Sequence, residues 1–191
     1  MKKLNTTAHK LLDSAEQFTQ TKGFNAFSYR DIQNDVGVKT SSIHYYFPTK
    51  KDLGLCMAER YIQAEMVTLD SIVKKHSDGY EQLQALSDVY YQILIQNKFC
   101  LCGMLARDIM TLPDSIVNTI KEFYITIEQW IKTAIELAIT QKTFPKDLDS
   151  SIAASHYIAT IEGALVLARI KQDYKHFETL TSYTLESLKK Q

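Results

Sequence analysis

From Lys39 to Phe47 the chain reads Lys-Thr-Ser-Ser-Ile-His-Tyr-Tyr-Phe, a run that suits recognition of a polar partner. The hydroxyls of Thr40, Ser41, Ser42, Tyr45 and Tyr46, the imidazole of His44 and the ammonium of Lys39 match phosphate oxygens and base edges. Ile43 and Phe47, four residues apart, are the one inward pair on a helix spanning about 39 to 47. A helix that gives so little of its surface to a core presents the rest to something polar. Upstream, Ser28, Tyr29 and Arg30 open a first short helix and are further candidate DNA contacts. Asp31 favours its N-terminus, and Ile32 and Val36 share one of its faces. Gly37 supplies the tight turn between the two, which makes a helix-turn-helix with the second helix as reader. Pro48 stops that helix, because the residue before a proline avoids the helical region. Thr49 and Asp52 then have the spacing of a capping box for the next helix. Lys50 and Lys51 project from its first turn and oppose its dipole, so helix stability does not account for them, whereas a phosphate backbone across that end would.

Other chemistry finds little support. The sequence has no P-loop, nucleophile elbow, dinucleotide fingerprint or HExxH spacing, so no catalytic residue, metal or cofactor is expected. His9, His44, His76, His156 and His176 are scattered, with no partner at ligand spacing. Three cysteines, Cys56, Cys100 and Cys102, form no paired framework and suit a reducing compartment. The formal net charge of zero over 191 residues argues against gripping nucleic acid with the entire surface. Residues 1–55 nevertheless hold eight Lys or Arg against five Asp or Glu, leaving 14 against 17 for the remainder. That asymmetry has the sign expected if the N-terminal part meets phosphate, although ordinary fluctuation in a neutral chain would also produce it. No uninterrupted apolar run approaches the ~18 residues that span a bilayer. Lys2 and Lys3 resemble the start of a signal peptide, but Lys10, Asp13 and Glu16 stand where its apolar core belongs, so a cytoplasmic protein with no membrane partner is expected.

The elements that would position these groups are all helical. Ala8, Leu11, Leu12, Ala15 and Phe18 mark a first helix that Gly23 ends. Its Lys2, Lys3 and Lys10 are candidate flanking phosphate contacts. A long helix from Lys51 to about His76 turns Leu53, Met57, Tyr61, Ala64 and Ile72 inward, with Gly54 either packing closely or acting as a pivot. Further helices follow over about 80–97, 99–112, 115–141, 150–172 and 174–189. The expectation is an all-α chain with a helix-turn-helix domain over 1–50 and a second helical domain over 51–191. The 150–172 segment is apolar on several faces and demands burial nearly all round. Gly163 and its alanines would let another helix approach. Helices 150–172 and 174–189 are therefore expected to build a homodimer as a four-helix bundle about a two-fold axis, the competing reading being a monomer with a central helix.

The order Gly23-Phe24, Ser28-Tyr29-Arg30-Asp31-Ile32, Gly37-Val38 and Ile43-His44-Tyr45-Tyr46-Phe47-Pro48-Thr49-Lys50-Lys51-Asp52-Leu53 resembles the N-terminal domain of the TetR/AcrR transcriptional regulators. The resemblance covers roughly the first third of the chain. Two positions depart from it: Lys39 stands where many members start the reading helix with Ser or Thr, so capping would pass to Thr40, and His44 stands where a Tyr is common. What the resemblance implies is a double-stranded DNA operator as partner, repression as the usual sign, and a C-terminal domain that binds a small effector. Tyr61, Tyr90, Phe99, Cys100, Met104, Phe123, Trp130 and Tyr157, with Tyr91, are aromatic and sulfur-bearing candidates for that pocket, though the same spacing also describes plain core. Phe99 to Asp108 further resembles the Cys-Leu segment of the electrophile-sensing N-ethylmaleimide-reductase-repressor subgroup, which aligns Cys100 with its sensing cysteine. A helix start and a nearby Lys98 or Arg107 would favour a thiolate there, while a small buried hydrophobe is the alternative. Cys102 lies about 200° round the helix, so the pair would not readily bridge. A helical adaptor without specific DNA binding is the rival function, and it leaves Thr40 to Tyr46 without a purpose.

Overall fold

The computed structural model describes residues 5–189, in which α1 (Thr6–Lys22), a 3₁₀ turn (Phe24–Ala26), α2 (Tyr29–Val36), α3 (Thr40–Tyr46) and α4 (Lys50–Lys75) are followed by α5 (Gly79–Ile95), α6 (Leu101–Arg107), α7 (Asp114–Thr140), α8 (Ser150–Lys171) and α9 (Lys175–Leu188). The fold is all-α. Lys2 and Lys3 lie outside the described residues, and Lys10 is exposed. Two compact units are present, one from residues up to Gln63 with Lys98–Glu122, the other from Ala64–Asn97 with Phe123–Gln191. The first therefore extends past residue 50 and takes in α6 and the start of α7.

In the first unit, α1 packs on both α2 and α3. Its start is capped by Asn5, whose side chain accepts the Ala8 N–H at 3.1 Å. Leu11, Leu12, Ala15, Ile32, Ile43, Leu53 and Met57 are fully buried and Phe24, Phe27 and Phe47 nearly so. α2 ends at Gly37 with φ 74° and ψ 31°, a left-handed geometry that a side chain resists. The turn it makes sets the crossing of α2 and α3. Gly54 has a different reason: a Cβ there would stand 2.7 Å from Phe24 Cζ and 3.0 Å from Ile116 Cδ1, so close packing rather than a pivot explains it.

The second unit centres on α8. Tyr157 is fully buried, and its hydroxyl donates to Leu83 O at 2.8 Å and is hydrogen-bonded to Ser87. α8 packs against α9 and α5 and buries Ala153, Ala154, Ile158, Ile161, Ala164 and Leu165. Its other face leaves Ile152 69% and Ile170 74% exposed, joined by Val166, Leu167 and, on α9, Tyr183. A Cβ added at Gly163 would meet nothing within 4 Å.

Two expectations need correction. On α4 it is Glu65, not Ala64, that turns inward, because 26 residues at 3.6 per turn drift from the assumed stripe. α6 stops at Arg107 rather than near 112, since Asp108 to Thr111 fold into turns, with the Thr111 N–H bonded to Asp108 O at 2.8 Å. No apolar run in α8 is uninterrupted over about 18 residues, as expected, although by length and composition alone this 22-residue helix is apolar enough to cross a membrane, a test that a core helix also passes.

Candidate nucleic-acid interface

The helix α3 is held by the two side chains its sequence offers inward, Ile43 and Phe47, at 0% and 3% exposure. Lys39, Ser41, His44 and Tyr45 are exposed, while Thr40, Ser42 and Tyr46 are half-buried. Tyr45 is 67% exposed and stacks edge-on with Tyr46 at 5.0 Å between ring centroids. Arg30 is exposed on α2. This is a surface of hydroxyls, imidazole and cations on a short rod, which suits hydrogen bonding to base edges and phosphates.

Several side chains singled out from sequence also help to mount that rod. Thr40 is the first helical residue and not the cap, which is Lys39; its hydroxyl donates to Gln33 Oε1 of α2. Tyr29 donates its hydroxyl to Phe47 O at 2.8 Å and lies edge-on to His44 at 5.0 Å. Burial first, and then the Asp52 charge, push the Tyr29 pKa well up, so it remains a donor. His44 Nδ1 lies 3.0 Å from Pro48 O, and Tyr46 Oη accepts from Asn5 Nδ2 at 2.6 Å. Ser28 donates through both N and Oγ to the Asp31 carboxylate, at 2.7 and 2.6 Å. Those bonds hold Asp31 below the usual carboxylate range. Thr49 and Asp52 close a capping box: the carboxylate accepts from Thr49 N at 2.9 Å, and Thr49 Oγ1 accepts from Asp52 N at 3.2 Å.

Lys50 departs most from its expected place. It does not project toward solvent. Its ammonium donates to Phe24 O at 2.6 Å and to Phe27 O, and it sits 4.7 and 4.2 Å from the centroids of those two rings. Burial lowers its pKa, opposed by the charges of Asp108 and Asp31. Lys51 is exposed. Gln33 and Asn5, the partners of Thr40 and Tyr46, carry no signal in the sequence pattern, because each serves a residue on another helix.

A family model described as "Bacterial regulatory proteins, tetR family" matches residues 11–55, and one described as "Tetracyclin repressor-like, C-terminal domain" matches 79–184, more than half of the chain. The chain belongs to the TetR family. It is thus a DNA-binding transcriptional regulator, with the helix-turn-helix in α2 and α3. A TetR regulator from Legionella pneumophila is 33% identical, with 99% of this chain and 100% of that one covered and a TM-score of 0.86. A TetR-family regulator from Agrobacterium tumefaciens is 29% identical over 96% and 98% of the two chains, with a TM-score of 0.92. The reduced form of E. coli NemR shares the fold, with a TM-score of 0.79, coverage of 93% and 95%, and 20% identity.

The residues proposed from sequence to line an effector pocket divide between the units. Tyr61, Phe99, Cys100 and Met104 belong to the first, and Tyr90, Phe123, Trp130 and Tyr157 to the second. Tyr90, Phe123 and Tyr157 are core residues at 0–1% exposure. Trp130 is half-buried and, with Val73 and Ile125, lines a groove of about 440 Å³. Met104 borders a cleft of about 290 Å³ beside the 3₁₀ turn. Cys100 is buried as the N-cap of α6, with its sulfur accepting the Gly103 N–H at 3.4 Å. Half-buried Cys56 is disfavoured as a thiolate, since burial and then Glu59 raise its pKa.

Proposed function

We propose that this regulator is a cytoplasmic homodimeric repressor that reads a pseudo-palindromic operator with two copies of α3 and is released by a small apolar or electrophilic effector. The observation that carries the reading is the contrast on α3: two inward apolar side chains against Lys39, Ser41, His44 and Tyr45 on its exposed surface. Half-buried Ser42 and Tyr46 lie on the same helix, and Arg30 on α2 and Lys51 on α4 are exposed. Dimerisation is supported by the exposed residues Ile152, Ala159, Gly163, Val166 and Ile170 on one side of α8, a largely apolar stripe that Ser155 and His156 interrupt and that would otherwise face water. Copies meeting there carry their reading helices to half-sites about 34–36 Å apart or a multiple of that spacing.

The electrophile reading rests on Cys100, whose sulfur sits at the start of α6 and accepts a backbone N–H there. Alkylating it would remove that acceptor and force extra volume into a buried position. Selection of bound duplexes from a random pool, followed by light scattering of the complex, tests the main claim. Enrichment of inverted repeats bound by an even number of chains is expected. Failure to enrich any sequence would end the DNA reading, and a monomer at micromolar concentration would end the dimer. N-ethylmaleimide should release the selected duplex from wild type and not from Cys100→Ser; equal release from both would remove Cys100 as sensor.

A further inference from the structure

The connection from α1 to α2, residues 23–28, is held from two directions inside the first unit. From α4, the Lys50 ammonium enters between Phe24 O, at 2.6 Å, and Phe27 O, over the faces of the same two rings. Those rings meet edge to face at 5.8 Å. From the segment after α6, Asp108 Oδ2 accepts the Asn25 N–H at 3.3 Å, and Thr111 Oγ1 accepts from Asn25 Nδ2 at 3.0 Å. Phe24 is further confined by Gly54 and Ile116. What this connection controls lies immediately downstream: Ser28 opens α2, and α2 holds α3 through Gln33 to Thr40 and Tyr29 to Phe47.

We propose that Lys50 is a positioning residue for DNA recognition, fixing the α1–α2 connection rather than neutralising a phosphate, and that Asp108 is its counterpart on the segment after α6. A cation wedged between two carbonyls and two ring faces makes charge-assisted bonds that outweigh ordinary turn contacts. A lysine so occupied has its donors directed into the protein, so a phosphate contact would require breaking the cage. Asp108, an acidic group, has no attraction for DNA. Its value to binding can come only through the connection it holds.

That difference in sign gives the test, with a duplex selected by the wild-type protein as probe. Wild-type affinity is established first, so that absence of DNA binding, which would sink the proposed function, is distinguished from failure of this inference. Lys50→Met should lower affinity by about tenfold or more at every salt concentration, the scale of losing a hydrogen-bonded charge. The slope of log K against log[salt] should match wild type. A lost phosphate contact would instead flatten the slope by about 0.9. Asp108→Ala should also weaken binding, several-fold, whereas charge alone predicts tighter binding when an acidic residue is removed. The double variant should be less than additive, since both act on one connection. A flattened slope for Lys50→Met, or affinity unchanged in it, overturns the proposal. Should Lys50→Met fail to fold by circular dichroism, Asp108→Ala decides: weaker binding upholds the proposal, and unchanged or tighter binding overturns it.

Discussion

Gly54→Ala pits local helix propensity against packing with opposite signs. In an exposed helix interior, alanine in place of glycine stabilises by about 1 kcal/mol. Here the new Cβ would lie 2.7 and 2.8 Å from Phe24 Cζ and Cε2 and 3.0 Å from Ile116 Cδ1. Phe24 is 4% exposed, and its ring forms part of the Lys50 cage, so it has little room to withdraw. Overpacking of this kind costs about 1–3 kcal/mol, which leaves a net loss of up to roughly 2 kcal/mol after the propensity gain. Urea denaturation followed by circular dichroism reads the difference. Adding Phe24→Leu in the Gly54→Ala background should recover part of the loss by shortening the obstructing ring. A variant more stable than wild type by about 1 kcal/mol would refute the packing argument, because that is the behaviour of a glycine with open space around it.

Other expectations follow from single contacts. Tyr157→Phe should destabilise by about 1–2 kcal/mol in denaturant titration, since it removes a buried hydroxyl that donates to Leu83 O and pairs with Ser87. Arg60, which joins α4 to Asp13 and Glu16 of α1 at 2.6 and 2.8 Å, is a quarter exposed. Arg60→Ala should therefore cost about 1 kcal/mol or less, shrinking in high salt. The Asp31 carboxylate titrates lower folded than unfolded, so its contribution is present above the unfolded pKa and fades as pH falls through the folded one. Asp31→Asn should flatten the acid side of the stability profile.

What the sequence made legible was local. The Ser28 to Asp31 and Thr49 to Asp52 spacings, the turn at Gly37 and the Ile43 to Phe47 pair each lie within one or two turns of helix, and each took its expected place. Reach across the chain was not legible. Lys50 finds its acceptors 23 and 26 residues back, and Tyr29 bonds a carbonyl 18 residues on, which a pattern read along one helix does not encode. For the same reason the dipole argument placed Lys50 outside, when two backbone carbonyls and two rings hold it inside. The end of α6 is not legible in the pattern, because apolar residues continue to Leu112 while Asp108 leaves the helix to bind Asn25. On α8, composition alone showed how much surface asks to be covered, and only the packing against α5 and α9 showed which face that is.

The central claim is that the exposed side of α3 reads base sequence. Repeating the random-pool selection with Tyr45→Ala tests it most directly, because Tyr45 is 67% exposed and its loss should leave folding intact. The account predicts a circular dichroism spectrum and denaturation midpoint like those of wild type, with the selected consensus altered or erased at defined positions in each half-site. An unchanged consensus recovered with wild-type affinity would contradict it.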